Sequence, residues 1–524
     1  MRGKPQLAIL VLLVITLSYT LTLPLHQFEV PSKPYGKAEC YYYIRVLENG
    51  SALVNIEFRG YGKGSAYIYL PRFTKYTLYV VQGEVVTKVV PDPIFYFYHK
   101  RVFNYTSPDR NCSIVIIKYP FSYASLMIED KAWFMTPLIR FSENVLTHVE
   151  IIIPNLNTIL GVRPQFYEKV GDVLRFRLDY RAANYAENRI AIDYTLKKSV
   201  QPVKIVKYIG NDSAKLVFYA PRIYMEIVDK ITQTFDKAYP HLKYIFGFFP
   251  QKLEFQFYLP SLLYISKLGY VEREILSLGK IHVNLVLLRF KPGYLEHTAI
   301  HEFVHVALGK LGVNATRNTR WIHEGLAEYI AIYVEKRIGI NVSDMVQDLL
   351  KGAELFLQYH KLGELVLWPY GPQEGLYYAA SYYVMKELGD RYGGIEFFRR
   401  VFAYINETGG INETKDFIDA LARVGGNRIY NLFASWGFPV SRSITINLLI
   451  SLLILVTWMI ALIITLSFLL ARKVKKEEGT KCPYCGVIVD PISTFCPFCG
   501  RELTAIREGE RVGEIPDGRK ETEE

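Results

Sequence analysis

The run His301-Glu302-Phe303-Val304-His305, followed after eighteen intervening residues by Glu324, constrains this chain more than any other stretch. Two histidines four apart lie one turn above the other on one face of a helix, so both imidazoles can reach a single cation. Glu302 projects beside them, placed to take a proton from water at that cation. Glu324 supplies a third, anionic ligand and leaves a fourth position open, as a catalytic zinc site requires. Any fold built on these residues must set two segments against each other around an ion. Ile300, Val304, Ala307 and Leu308 recur at packing spacing before Gly309 and Gly312, which predicts a buried helix ended by glycine. The chemistry expected is that of a zinc hydrolase, most naturally a peptidase.

Other ligand sets are weighed on the same residues. A third histidine six positions after His305 would complete a different zinc class, but Leu311 stands there. His323 precedes Glu324 and points about 100° away on the same helix. It is an alternative ligand, or a group that lines the site or binds substrate. His297 stacks one turn before His301 and reads as a structural histidine or as a partner behind the ligands.

The segment Trp321-Ile322-His323-Glu324-Gly325-Leu326-Ala327-Glu328-Tyr329 resembles the W-L-N-E-G-F-A block of gluzincin metallopeptidases of the aminopeptidase N type, and the spacing from the HExxH motif is also that family's. The resemblance implies an α+β, thermolysin-like catalytic domain over residues 204–443, with His301, His305 and Glu324 as zinc ligands and Glu302 as general base. It implies that Glu328, one turn after Glu324, holds the first metal histidine, since a ligating imidazole needs its other N–H fixed. It also implies a downstream tyrosine that stabilises the oxyanion; Tyr378 is the first candidate and Tyr377 the second. The family's aminopeptidases carry a G-x-M-E-N strand about 35 residues before the HExxH motif. Here that region reads Gly269-Tyr270-Val271-Glu272, with a glycine and a glutamate but not the motif. Glu272 remains a candidate for binding an amine, and endo- versus exopeptidase action stays open.

The rest of the chain predicts a multidomain protein. Residues 29–203 are β-rich: 41–47 and 52–58 flank the hairpin signal Asn49-Gly50, and further strands are expected at 113–117, 148–153 and 189–194. Together they suggest a sandwich or saddle. In the second domain a helix is expected over 222–239, strands over 253–259 and 282–288, and helices near 321–338, 376–391 and 394–405. Residues 1–28, with a basic start and a charge-free run from 7 to 23, read as a signal peptide or signal anchor. Residues 448–470 carry no charge and predict one transmembrane helix within 444–471. Arg472, Lys473, Lys475 and Lys476 follow at once, which puts the tail (472–524) in the cytoplasm and the catalytic domain outside the membrane. The eight N-x-S/T triplets, at Asn49, Asn104, Asn111, Asn211, Asn314, Asn341, Asn406 and Asn412, all precede that stretch.

The cysteines sort into two groups. Cys40 and Cys112 are a candidate disulfide in the expected external part. Cys482-Pro483-Tyr484-Cys485-Gly486 and Cys496-Pro497-Phe498-Cys499-Gly500 form two C-P-x-C-G knuckles, the mark of a small zinc ribbon over 480–502 with a closed, structural four-thiolate zinc. The formal charge of +11 does not imply nucleic acid, because no basic run with interleaved aromatics accompanies it. The expected partners are a peptide or protein substrate, the membrane, and a protein partner for the ribbon. The rival reading is a non-catalytic receptor or scaffold that uses the same fold for binding.

Overall fold

The computed structural model describes residues 35–107, 111–185, 187–261, 267–369, 371, 373–440, 453–464 and 479–503. One compact unit extends to Val440 and a second begins at Ser441.

The first unit opens with strands β1 (Tyr35–Val46), β2 (Ala52–Pro71), β3 (Thr77–Gln82), β4 (Glu84–Val90), β5 (Tyr98–Thr106), β6 (Cys112–Phe121), β7 (Ser125–Met135), β8 (Val145–Ile152), β9 (Leu156–Arg163), β10 (Glu168–Val170), β11 (Val173–Leu178) and β12 (Ala191–Val200), with the short helix α1 (Tyr180–Tyr185) before β12. Period-two patterning explains their packing. In β1, Cys40, Tyr42, Ile44 and Val46 are buried while Tyr41, Tyr43 and Arg45 face out. The turn at Asn49-Gly50 works because Gly50 takes a φ of 81°. The main sheet runs β10-β11-β8-β1-β2-β5-β4, with β6 also on β2 and β3 on β6; a second sheet runs β7-β12-β9. Phe58, Ile117 and Val149 of the first share one core with Phe134 and Ile192 of the second.

A second core follows around the five-stranded sheet β13 (Val203–Ile209), β14 (Ala214–Ala220), β15 (Lys252–Tyr258), β17 (Lys280–Asn284) and β16 (Gly269–Val271), in that order across the sheet. Helices complete it: α2 (Met225–Phe246), α3 (Tyr294–Lys310), α4 (Arg320–Arg337), α5 (Ser343–Tyr359), α6 (Glu374–Tyr392), α7 (Ile395–Thr408), α8 (Thr414–Gly425) and α9 (Arg428–Ser435). The strand expected over 282–288 stops at Asn284. There the Asn284 side chain accepts from the Val286 N–H at 2.9 Å and turns the chain into a 3-10 segment over Leu285–Arg289. Its α3 neighbour is apolar on nearly every side, with Leu295, Ala299, Ile300, Phe303, Val304 and Leu308 all buried, so it runs through the core rather than over it.

Three expectations need correction. Among the described residues no helix is long and apolar enough to cross a membrane. Within the expected span the described residues, 453–464, are helical. Residues 448–452 and 465–470 lie outside the described residues, as does the segment 1–28. The transmembrane part of the expected fold class is overturned. With it goes the placement in a cell membrane with the catalytic domain outside and the tail inside, which rested on that span. The third correction is the disulfide: Cys40 and Cys112 are both free. Cys40 on β1 lies opposite Phe58 and Cys112 on β6 opposite Tyr61, so the whole of β2 stands between them. Two strand spacings of about 4.8 Å already exceed the roughly 7 Å that a disulfide can bridge.

The second unit holds the cysteine knuckles. Strands β18 (Thr480–Lys481) and β19 (Ile488–Val489) pair antiparallel. The knuckles repeat one another: Gly486 N–H donates to the Cys482 carbonyl and Gly500 N–H to the Cys496 carbonyl, each at 2.8 Å. Gly486 and Gly500 sit at φ 76° and 70°, which is why each C-P-x-C ends in glycine.

Candidate metal centres

His301 and His305 rise from α3, and Glu324 faces them from α4. The Nε2 atoms of the two histidines are 3.1 Å apart, and Glu324 Oε2 lies 3.3 Å from the first and 3.4 Å from the second. Arms of about 2.0–2.1 Å to a tetrahedral ion would set donor-to-donor edges of roughly 3.3–3.4 Å. Three donors with those separations form one face of a tetrahedron, and the fourth corner is left to an outside ligand. The donor set fits a metal ion.

Both histidines are oriented from behind. His301 Nδ1 faces Glu328 Oε1 at 3.4 Å, which leaves the Nε2 lone pair for the ion. His305 Nδ1 faces His323 Nδ1 at 3.4 Å, while His323 Nε2 sits 3.1 Å from the Val313 carbonyl. A carbonyl only accepts, so His323 carries its proton on Nε2 and its Nδ1 accepts from His305. His305 is thereby fixed in the tautomer that frees Nε2. His323, weighed from sequence as a ligand or substrate group, instead orients His305.

Behind Glu328 the chain of contacts continues. His297 Nε2 is 3.0 Å from Glu328 Oε2, and its Nδ1 is 2.9 Å from Glu335 Oε2 on the same helix. Burial by itself would depress His297, but Glu328 and Glu335 more than offset it and raise its pKa to about 10. Burial raises the Glu328 carboxyl, yet the His297 cation outweighs that and holds it well below the usual range. Glu328 therefore stays a carboxylate.

Glu302 is buried beside the donors, and its Oε2 has no hydrogen-bond partner. Burial pushes its carboxyl upward, opposed by His305 and His301. An orphaned, buried carboxylate oxygen costs free energy unless something polar meets it. Strand β16 passes against it because Gly269 has no side chain: a Cβ there would stand 2.6 Å from Glu302 Oε1. By strand alternation Tyr270 and Glu272 face away from α3. Tyr270 stacks on His282 at 4.3 Å, and Glu272 Oε1 meets His282 Nε2 at 3.2 Å. The sheet's far face thus takes the glutamate weighed as an amine anchor.

Tyr378 reaches the site from α6. Its hydroxyl donates to Glu324 Oε1 at 3.3 Å and accepts from Arg320 Nη2 at 3.2 Å. Burial, reinforced by Glu324, pushes the phenol well above its ordinary value, so it keeps its proton. Tyr377 points elsewhere, packed edge-on against Phe356 and Trp368. Gly325 lets α4 lie close on α6, since a Cβ there would be 2.6 Å from the Ser381 carbonyl.

In the second unit, Cys482, Cys485, Cys496 and Cys499 gather their sulfurs within 4.8 Å of one another. Cys482 Sγ is 3.8 Å from Cys499 Sγ, and Cys485 Sγ is 3.6 Å from Cys496 Sγ. These are far beyond a disulfide's ~2.0 Å and near the ~3.8 Å edge of a four-thiolate tetrahedron with arms of about 2.3 Å. No protein-family model matches the chain, and no curated protein matches it significantly.

Proposed function

We propose that the first unit is a zinc-dependent peptidase of gluzincin type, with His301, His305 and Glu324 holding the ion, and that the cysteine knuckles hold a second, structural zinc. The observation that carries the reading is the tetrahedral spacing of the three donors with the unpartnered Glu302 oxygen beside them. Nitrogen, nitrogen and carboxylate oxygen with one open corner is a donor set suited to catalytic zinc, and four thiolates to structural zinc. Bound at the first site, zinc supplies Lewis acidity that acidifies water and polarises a carbonyl.

The chain's own residues supply the rest. Glu302 takes the proton of the attacking water and returns it to the leaving amine, a shuttle favoured by a carboxyl that burial has raised. Tyr378 keeps its proton and donates it as a hydrogen bond to the oxyanion. Glu328 and His323 keep the two imidazoles in register throughout. Strand β16 is the last strand of its sheet and runs past Glu302, so an extended peptide added along it would lie beside the general base.

Glu302→Gln keeps the shape of the site and removes the base. The expected result is full metal content with peptide hydrolysis reduced to background, read by metal analysis and by cleavage of a mixed peptide library. Undiminished cleavage by the variant would sink the assignment. A metal-free first unit would instead favour the scaffold reading.

A further inference from the structure

Arg320 sits one turn before Glu324 on α4 and is half-buried at the site. Its guanidinium is divided among three acceptors. Nε faces Glu324 Oε1 at 3.4 Å, Nη2 donates to the Tyr378 hydroxyl at 3.2 Å, and Nη1 meets Glu374 Oε1 at 3.1 Å. The group lies over the buried Trp368 ring, 4.9 Å from its centre, and Trp368 Nε1 donates to the same Glu374 oxygen at 3.2 Å. Arg317 in turn clamps the Leu367 and Trp368 carbonyls at 2.8 and 3.2 Å. Glu374 and the Trp368 ring thus hold Arg320 from the side away from Glu324 and Tyr378.

We infer that Arg320 is a positioning residue for both Glu324 and Tyr378. Glu324 has two oxygens: Oε2 faces the histidine nitrogens, while Oε1 accepts from Arg320 and from Tyr378. With Oε1 engaged, Glu324 would offer a bound ion a single oxygen and would leave the remaining position to an outside ligand. At the tyrosine, Nη2 fills a lone pair of the hydroxyl, so the phenolic hydrogen is the only part of that group left to give. It points along the line to Glu324 Oε1 at rest and is free to turn to an oxyanion. The planar fork presents separate, rigidly spaced nitrogens to three acceptors, whereas the three donors of a lysine all radiate from one nitrogen. This inference rests on the peptidase reading for its kinetic consequence but not for its metal geometry.

The test uses the full chain with Arg320→Met, Arg320→Lys, Tyr378→Phe and the Arg320→Met/Tyr378→Phe double variant. On one peptide chosen from a cleaved library, Arg320→Met should lower kcat roughly a hundredfold, with KM within about twofold. Tyr378→Phe should do the same, and the double variant should be no worse than either single change. Multiplying losses, or full rescue by lysine, would overturn the inference, because they mean independent roles or charge alone. Cadmium-113 NMR of the cadmium-loaded protein gives a reading that needs no activity, since the thiolate site and the nitrogen–oxygen site resonate far apart. The nitrogen–oxygen resonance should move in both Arg320 variants as Glu324 closes onto the ion with both oxygens. The thiolate resonance should stay fixed and report that the protein is intact. An unmoved nitrogen–oxygen resonance overturns the inference. If the wild-type chain cleaves no peptide at all, it is the peptidase reading that fails, and the cadmium spectra still decide the role of Arg320.

Discussion

At the scale of single residues, the buried row His301, Glu328, His297, Glu335 makes a measurable claim about pH. An imidazole in an unfolded chain titrates near 6.5, whereas His297 between its two carboxylates is raised to about 10. Below the lower value both states carry the proton and the pairing contributes in full. Between the two values the unfolded chain has released it and the folded chain has not, so stability falls as pH rises; above about 10 the contribution is gone. The melting-temperature difference between wild type and His297→Gln should therefore be large at pH 6, smaller at pH 8 and smallest near pH 10. A difference independent of pH would rule out a charged His297. Helical periodicity made His301 and His305 legible as a pair on one face of α3; Glu324 stands on α4, and its distance along the chain from the HExxH motif pointed to it. His323 and Arg320 were not legible as orienting groups. Their roles depend on which carbonyl or hydroxyl the fold brings within 3.5 Å, and no local spacing encodes that.

At the scale of elements, the strands at 41–47, 52–58, 113–117 and 148–153 could be read from alternation, and the helices near 301, 321, 376 and 394 from their apolar content and helical spacing. The amphipathic α5 and the turn at Asn284 escaped notice. The first carries a helical apolar pattern of its own that the reading passed over, and the second is set by one side chain competing with the strand ladder. Strand β16 carries the sharpest element-scale consequence. A methyl group on Gly269 would meet Glu302 Oε1 at 2.6 Å, Thr298 Cγ2 at 2.7 Å and Glu302 Cγ at 2.9 Å. Either β16 or Glu302 must shift. Gly269→Ala is expected to cost about 1–3 kcal/mol of stability and to lower peptide cleavage while the metal stays bound. Gly375 on α6 offers a control, because nothing lies within 4 Å of its would-be Cβ; there alanine should leave activity intact and stabilise by up to about 1 kcal/mol. Equal effects at both positions would show that contact with Glu302 is not what Gly269 avoids.

At the scale of the whole molecule, the proposed metals should matter to the two units to different degrees. The larger unit has two extensive cores that owe nothing to an ion, around Phe58 and Phe134 in one and Phe235 and Phe303 in the other. Among its described residues the knuckle unit buries little beyond Cys482, Val489 and Cys496. A core that small does not offset the chain entropy of ordering some two dozen residues, so on the proposed reading thiolate–metal bonds supply most of its stability. Metal removal should thus separate the units. With a strong chelator, amide protection over 480–502 should vanish while the larger unit keeps its secondary structure and a cooperative melt. That melt should move down, since a ligand at a hundred times its dissociation constant stabilises by about 2.7 kcal/mol, a contribution that chelation removes. Adding back one equivalent of zinc should restore one set of signals before the other, and two equivalents should restore both. Protection over 480–502 that survives complete chelation would mean that the knuckles fold without a metal, and the four sulfurs would then need another explanation for their spacing.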